Sequence, residues 1–133
     1  MKREGKKIVM VALSCAAAAF FFCGCATISE NTHAYIGSPH LAPTNPASVQ
    51  ILAAEPRQPI ERLGEVILSV DGNPPRAEID RKLQKAAAKL GATGVYVASD
   101  RTHIYPVYYW DWYGPMADEY WHRLIVGVAF VNK

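Results

Sequence analysis

Cysteine is scarce in this chain of 133 residues, and its three copies, Cys15, Cys23 and Cys25, all fall near the N-terminal end. We therefore expect no disulfide in the rest of the chain, whose fold must be held by its own apolar core. The chain also lacks an excess of charge of either sign, because its 14 Lys and Arg residues nearly balance its 12 Asp and Glu residues. Since no basic patch stands out, the sequence does not predict nucleic-acid binding.

Catalytic and metal-binding motifs are missing too. The sequence has no His-Glu-x-x-His or Cys-x-x-Cys motif, no glycine-rich loop that opens a helix, and no recognised pairing of histidine with a nucleophilic serine. Isolated acidic and histidine side chains occur near the C-terminal end at spacings that are common by chance: His103, Asp111, Asp118, Glu119 and His122. We therefore expect no catalytic residue, no cofactor and no metal site.

The first 24 residues have three parts that together are typical of a secretory signal peptide. A basic stretch that includes Lys6 and Lys7 precedes an apolar run from Ile8 to Phe22, and the small residue Gly24 follows. Positive charge resists translocation, while the apolar run inserts as a short helix. An uncleaved membrane-spanning helix is the alternative, but about 15 apolar residues fall short of the roughly 20 that cross a bilayer.

The end of this segment, Phe22-Cys23-Gly24-Cys25-Ala26, resembles the lipobox of bacterial lipoproteins. The resemblance implies cleavage between Gly24 and Cys25 and attachment of acyl chains, such as palmitate, to Cys25. Two or three acyl chains anchor a protein firmly to a membrane. In this family an Asp after the cysteine retains the protein at the inner membrane. Ala26 therefore implies the outer membrane, facing the periplasm, in a host with two membranes.

Residues 26–46 are rich in small polar residues and contain Pro39, Pro43 and Pro46, which a helix or a central strand does not tolerate. We therefore predict a signal peptide at residues 1–24, a lipidated cysteine with a flexible tether at residues 25–46, and one small domain at residues 47–133. The tether would hold the domain away from the membrane.

Apolar periodicity and turn residues predict an α+β two-layer domain in the order β-β-α-β-β, with one helix packed on a four-stranded sheet. The strands are expected at residues 48–52, 62–70, 94–99 and 123–131. A helix is expected from Pro74 to Leu90, because Asn73 can cap it, apolar residues recur at helical spacing, and Gly91 suits its C-terminal stop.

The run Leu63-Gly64-Glu65-Val66-Ile67, with a later helix that ends in Leu90-Gly91-Ala92 and a strand from Gly94, resembles a pattern of small envelope domains. These include the Rcs envelope-stress sensor lipoprotein and the YbjQ-like domains. The resemblance covers roughly residues 49 to 100 and implies their fold; it contains no catalytic residue.

Aromatic residues are concentrated near the C-terminal end, where residues 105–121 hold eight of the chain's 14 aromatic side chains. Pro106, Gly114 and Pro115 interrupt this stretch, which predicts a long loop or irregular hairpin between the third and fourth strands. Tyr and Trp have an apolar ring with a polar edge, so they suit stacking on sugars, capture of peptides or contact with a lipid interface. They equally suit covering the sheet face opposite the helix and completing the core.

These observations predict a non-catalytic, membrane-anchored envelope lipoprotein that binds an envelope protein or a cell-wall glycan such as peptidoglycan through its aromatic loop. The candidate binding residues are Tyr108, Tyr109, Trp110, Trp112 and Tyr113, of which Trp110, Trp112 and Tyr113 would form the contact tip. The alternative is a small sensor or structural lipoprotein whose aromatic loop only completes the core.

Overall fold

A computed structural model describes residues 26–133, which form one helix and a five-stranded sheet. The elements are β1 (Thr27–Ala34), a short 3-10 turn (Pro46–Ser48), β2 (Gln50–Leu52), β3 (Ile60–Asp71), α1 (Arg76–Lys89), β4 (Gly94–Asp111) and β5 (Gly114–Asn132). The α+β class with a single helix is confirmed. The predicted four strands and the order β-β-α-β-β are wrong, because a further strand precedes the two that were expected before the helix.

The sheet has the spatial order β1-β3-β5-β4-β2. β1 with β3, β3 with β5 and β5 with β4 are antiparallel pairs, and only β2 with β4 is parallel. The longest strands therefore lie at the centre, and β5, which contains the apolar run Leu124–Phe130, is the middle strand. Both edges are made by the shorter strands β1 and β2.

Residues 27–34 are the main correction to the predicted tether at residues 25–46. They form β1, in which Thr27 lies opposite Asp71 and Ala34 opposite Gly64. Alternate side chains of β1 are half-buried, and Glu30 forms an ion pair with Lys89 of the helix. The domain thus begins at residue 27 and not at residue 47. Backbone pairing with β3 accounts for this strand although its side chains are mostly polar, so the apolar periodicity of the sequence gave little signal for it.

The segment after β1 also packs on the domain. The backbone nitrogen of Thr44 donates to the carbonyl oxygen of Ala88 over 3.0 Å, and its hydroxyl donates to the carbonyl oxygen of Ala92 over 2.7 Å. Gly91 ends the helix with φ +78°, as its position in the sequence predicted. A Cβ on Gly91 would lie 2.5 Å from Cβ of Leu41, which shows how closely this segment crosses the helix end.

The helix and the sheet share one apolar core. Ile79, Leu83 and three consecutive alanines of α1 are buried against β3, β4 and β5, as the helical spacing predicted. The helix begins two residues later than expected, with Pro75 at its N-cap and no side-chain cap from Asn73. On the opposite face of the sheet, Tyr96, Val128 and Phe130 form a smaller cluster. Tyr35 from the segment after β1, Leu52 of β2 and Ile60 of β3 pack against it.

β4 and β5 continue well beyond the rest of the sheet. β3 pairs with β5 only as far as Asp71, which lies opposite His122. From Ile104 to Trp121 the two strands pair with each other alone, up to a turn at Trp112 and Tyr113. We call residues 104–121 the aromatic arm. Of the predicted long loop or irregular hairpin, the loop is wrong and the hairpin is present, as a regular antiparallel ribbon.

Candidate functional site

The aromatic arm is two-sided, because residues that lie opposite each other in an antiparallel pair project from the same face. One face, which we call the Tyr face, carries Tyr105 opposite Tyr120, Val107 opposite Asp118, and Tyr109 opposite Met116. The other, the Trp face, carries Ile104 opposite Trp121, Pro106 opposite Glu119, Tyr108 opposite Ala117, and Trp110 opposite Pro115. Aromatic rings therefore line both faces of this ribbon, with which no third strand pairs within residues 26–133.

The rings of the arm are open to solvent. Trp110, Trp112 and Tyr113 at the far end are 82 %, 92 % and 91 % exposed, and Tyr108 is 77 % exposed. The remaining four rings, Tyr105, Tyr109, Tyr120 and Trp121, are 40 % to 51 % exposed. Within residues 26–133, none of these eight rings is among the buried residues of the core, which disfavours the alternative that they complete it. Large exposed apolar patches of this kind mark interaction surfaces.

All five predicted binding residues lie in the outer half of the arm, but they are not all on one face. Tyr109 belongs to the Tyr face, Tyr108 and Trp110 belong to the Trp face, and Trp112 and Tyr113 form the turn. The prediction missed the apolar partners that complete the faces, namely Ile104, Tyr105, Val107, Met116, Tyr120 and Trp121. Apolar residues repeat on both sides of Gly114 in the sequence. A hairpin with its turn at this glycine would have made them cross-strand neighbours, so the pattern could have predicted these partners.

The arm carries negative charge only. Asp111, Asp118 and Glu119 lie within residues 104–121, and this stretch contains no Lys or Arg. Two of these carboxylates accept local backbone bonds, from the nitrogen of Trp112 to Asp111 over 2.7 Å and from the nitrogen of Glu119 to Asp118 over 2.8 Å. The arm is therefore an aromatic surface with hydrogen-bond acceptors at its turn and along its length.

Polar contacts hold the arm where it leaves the sheet. The carboxylate of Asp71 on β3 lies 2.7 Å from Nδ1 of His122 on β5. This contact, together with a second from the Tyr120 hydroxyl, lowers the pKa of Asp71, and the same carboxylate raises the pKa of Tyr120. The backbone nitrogen of Gly72 also donates to the carbonyl oxygen of Trp121 over 2.9 Å. The direction of the arm is thus set by the end of β3.

An ion pair lies on the helix side of the same region. Arg123 donates through Nε and a terminal nitrogen to the two carboxylate oxygens of Asp100, over 2.8 and 2.5 Å. This bidentate bond lowers the pKa of Asp100. The pair borders a cleft beneath α1 of about 40 Å³, which has room for little more than a water molecule.

The acidic and histidine residues near the C-terminal end are spread along the arm. His103 lies opposite His122 at the root, whereas Asp111 lies at the turn, and Asp118 and Glu119 project from opposite faces. Within residues 26–133, no group of three or more His, Cys, Asp or Glu side chains is placed to hold a metal ion. No helix of this part of the chain is long and apolar enough to cross a membrane.

The predicted signal peptide, its cleavage site at Gly24 and Cys25, and the lipidation of Cys25 lie outside the described residues. Ala26, the first residue described, is placed at the root of the arm, where its Cα and Cβ lie 3.6 Å from the position that a Cβ on Gly72 would take. Comparisons of the chain with protein families, with curated proteins and with solved structures return no match.

Proposed function

We propose that this chain is a non-catalytic lipoprotein of the cell envelope, anchored through Cys25, whose aromatic arm is its binding element. The observation that supports it is the arm itself, a ribbon that carries eight rings, all of them at least 40 % exposed, beyond the edge of the core. Large exposed apolar patches promote aggregation unless a partner covers them, so a ribbon of this composition favours a binding role.

The anchor is proposed from the lipobox-like sequence Phe22-Cys23-Gly24-Cys25, and Ala26 favours the outer membrane, facing the periplasm. Two or three acyl chains on Cys25 would hold the protein without a membrane-spanning helix. Because β1 begins at Thr27, the folded domain would follow the anchor directly and lie close to the membrane.

The partner that suits the faces of the arm is an envelope protein or a cell-wall glycan such as peptidoglycan. Tyr and Trp rings stack on the apolar faces of sugars and of peptide side chains. The carboxylates of Asp118 and Glu119 lie between the rings, one on each face, where they can accept hydrogen bonds from hydroxyl or amide groups.

Capture of partners from envelopes tests this proposal, with the full-length lipoprotein as bait and purified peptidoglycan as a second ligand. We expect a specific partner that is lost when Tyr108→Ser and Tyr109→Ser remove one ring from each face. Ile36→Ser is the matched control, because Ile36 is a fully exposed apolar residue outside the arm. Retention of every partner by the double variant, or loss of the same partners from the control, would contradict the proposal.

A further inference from the structure

The start of the described chain and the root of the arm lie at the same end of the sheet. Thr27 of β1 is opposite Asp71 of β3, and Asp71 is opposite His122 of β5, so the three residues form one row across the sheet. Neighbouring strands lie about 4.8 Å apart, which places Thr27 about 10 Å from the strand that enters the arm. The arm continues from this row away from the core.

The described chain begins at Ala26, beside this row. One peptide bond joins Ala26 to the proposed anchor residue Cys25, and consecutive Cα atoms are about 3.8 Å apart. Ala26 itself packs beside Gly72, whose backbone nitrogen donates to Trp121 at the arm's root. A lipid on Cys25 therefore fixes the membrane surface close to the end of the sheet from which the arm projects.

We propose that the three rings at the turn of the arm, Trp110, Trp112 and Tyr113, rest in the headgroup layer of the membrane that holds Cys25. This inference depends on the lipid anchor of the proposed function and adds a second, non-covalent membrane contact. The faces nearer the root of the arm remain available for a protein or glycan.

The length of the arm decides how it meets the bilayer. The eight paired rows from Ile104 to Asp111 are separated by seven steps and span about 23 Å at about 3.3 Å per residue. An upright arm of that length would pass the midplane of a bilayer that is about 40 to 45 Å thick. Within the described residues, β4 beyond Tyr96 has β5 as its only strand neighbour, so one edge of its backbone is unpaired. Unpaired backbone groups are costly in hydrocarbon, and the arm therefore lies along the surface.

The chemistry of the arm suits an interface more than the hydrocarbon interior. Tyr and Trp are enriched where headgroups meet acyl chains, because their rings are apolar and their edges form hydrogen bonds. Asp111, beside the turn, and the carboxylates of Asp118 and Glu119 remain hydrated in a headgroup layer. Since the arm has no Lys or Arg to balance them, it favours zwitterionic lipids over anionic ones.

Tryptophan fluorescence is a direct test, because all three tryptophans of the chain, Trp110, Trp112 and Trp121, belong to the arm. The lipidated full-length protein is reconstituted into phosphatidylcholine vesicles whose acyl chains carry bromine, a quencher, either near the headgroup or near the chain end. In the Trp121→Phe variant only the two tryptophans beside the turn emit. We expect this emission to shift to the blue, to be quenched most strongly by bromine near the headgroup, and to be shielded from iodide.

The Trp110→Phe/Trp112→Phe variant provides the matched control, since it reports only Trp121 at the root of the arm. The proposal is overturned if neither brominated lipid quenches the Trp121→Phe protein and iodide reaches its tryptophans fully. It is overturned as well if bromine near the chain end quenches this variant more strongly than bromine near the headgroup. The third contrary result is quenching of Trp121 in the control variant without quenching of Trp110 and Trp112. It is also overturned if added phosphatidylglycerol strengthens the quenching, because the arm would then bind anionic lipids in preference to zwitterionic ones.

Flotation of the same vesicles separates the two proposals. Wild-type protein that floats, with a Cys25→Ser variant that does not, supports the lipid anchor whatever the fluorescence shows. If the protein floats but its tip tryptophans are not quenched, only the membrane contact of the arm is wrong. If the wild-type protein does not float, the lipid anchor of the proposed function is wrong, and so is the membrane contact of the arm, which depends on that anchor.

Discussion

The imidazole of His122 lies 2.7 Å from the carboxylate of Asp71 at the row where the aromatic arm leaves the sheet. This contact joins β5, which continues into the arm, to the last residue of β3, which does not. A backbone bond from Gly72 to Trp121 reinforces it one residue further out. The arm is therefore held at its root by the sheet, while its rings are left exposed.

Asp71 should make the stability of the protein depend on acid pH. Contacts with His122 and then Tyr120 lower its pKa in the folded state, so the folded protein binds fewer protons than the unfolded chain at acid pH. Its contribution is present above the ordinary carboxyl pKa of about 4 and is lost as the pH falls through the lowered value. We expect Asp71→Asn to reduce the decline in the urea midpoint between neutral pH and about pH 3.

The control for this titration is Asp118→Asn on the arm. Within the described chain, its carboxylate accepts a bond only from the backbone of Glu119. We expect this variant to keep the wild-type decline in stability at acid pH. An Asp71→Asn variant with the same decline as wild type would show that the contact at the root does not stabilise the fold.

Arg123 and Asp100 should be energetically coupled. Their bidentate geometry and one-third exposure place them at the upper end of the range for surface ion pairs, at about 1 kcal/mol. A double-mutant cycle with Arg123→Ala and Asp100→Ala, followed by urea unfolding, measures this coupling. The pair of Arg76 and Asp80 is the comparison, because its atoms are 3.7 Å apart and Arg76 is largely exposed. For Arg76 and Asp80 we expect a coupling energy of no more than about 0.5 kcal/mol. Equal coupling energies in the two pairs would show that the bidentate geometry of Arg123 and Asp100 adds no stability.

Removal of the outer arm should leave the domain folded. We propose replacing residues 105–120 with Asn-Gly, a two-residue turn that joins the paired positions Ile104 and Trp121. Because the deleted rings lie outside the core, the free energy of unfolding should change by no more than about 1 kcal/mol. Far-ultraviolet circular dichroism during urea unfolding checks this result. Loss of the cooperative transition would instead support a core-completing role for the rings.

Gly91→Ala should destabilise the protein more than Gly37→Ala. Both glycines have positive φ, +78° and +84°, so an alanine costs about 1 to 2 kcal/mol at either position. At Gly91 the new Cβ would also meet Leu41 and Ala42 at 2.5 and 2.8 Å, whereas nothing lies within 4 Å at Gly37. We expect a further loss of at least about 1 kcal/mol at Gly91 in urea unfolding. Equal losses would mean that residues 41–42 do not pack on the helix end.

The helix and the central strands could be predicted because their sequences carry several agreeing signals. The apolar spacing from Ile79 to Leu90, with proline before it and Gly91 after it, admits little except an amphipathic helix. β3 and the inner half of β5 are apolar on the face that meets this helix. Their core residues, such as Val66 and Ile125, are therefore visible in the sequence as well as in the structure.

β1 and the regular strands of the arm could not be predicted because they depend little on burial. β1 is polar, and β3 holds it through backbone bonds, which leave no trace in apolar periodicity. In the arm, Pro106 and Pro115 indicated an interruption. Within residues 26–133, each lies where its strand pairs on one side only, and a missing N–H is tolerated at such an edge. The identity of the candidate rings was visible in the sequence, but their division between two faces required the register of the hairpin.

The modification of Cys25 tests the central proposal most directly. Mass spectrometry of the N-terminal peptide from protein purified out of the bacterial envelope shows which residue begins the mature chain and what it carries. We predict that the peptide begins at Cys25 and contains two or three acyl chains. A peptide that begins elsewhere, or that contains an unmodified Cys25, would contradict the account of a lipid-anchored aromatic arm.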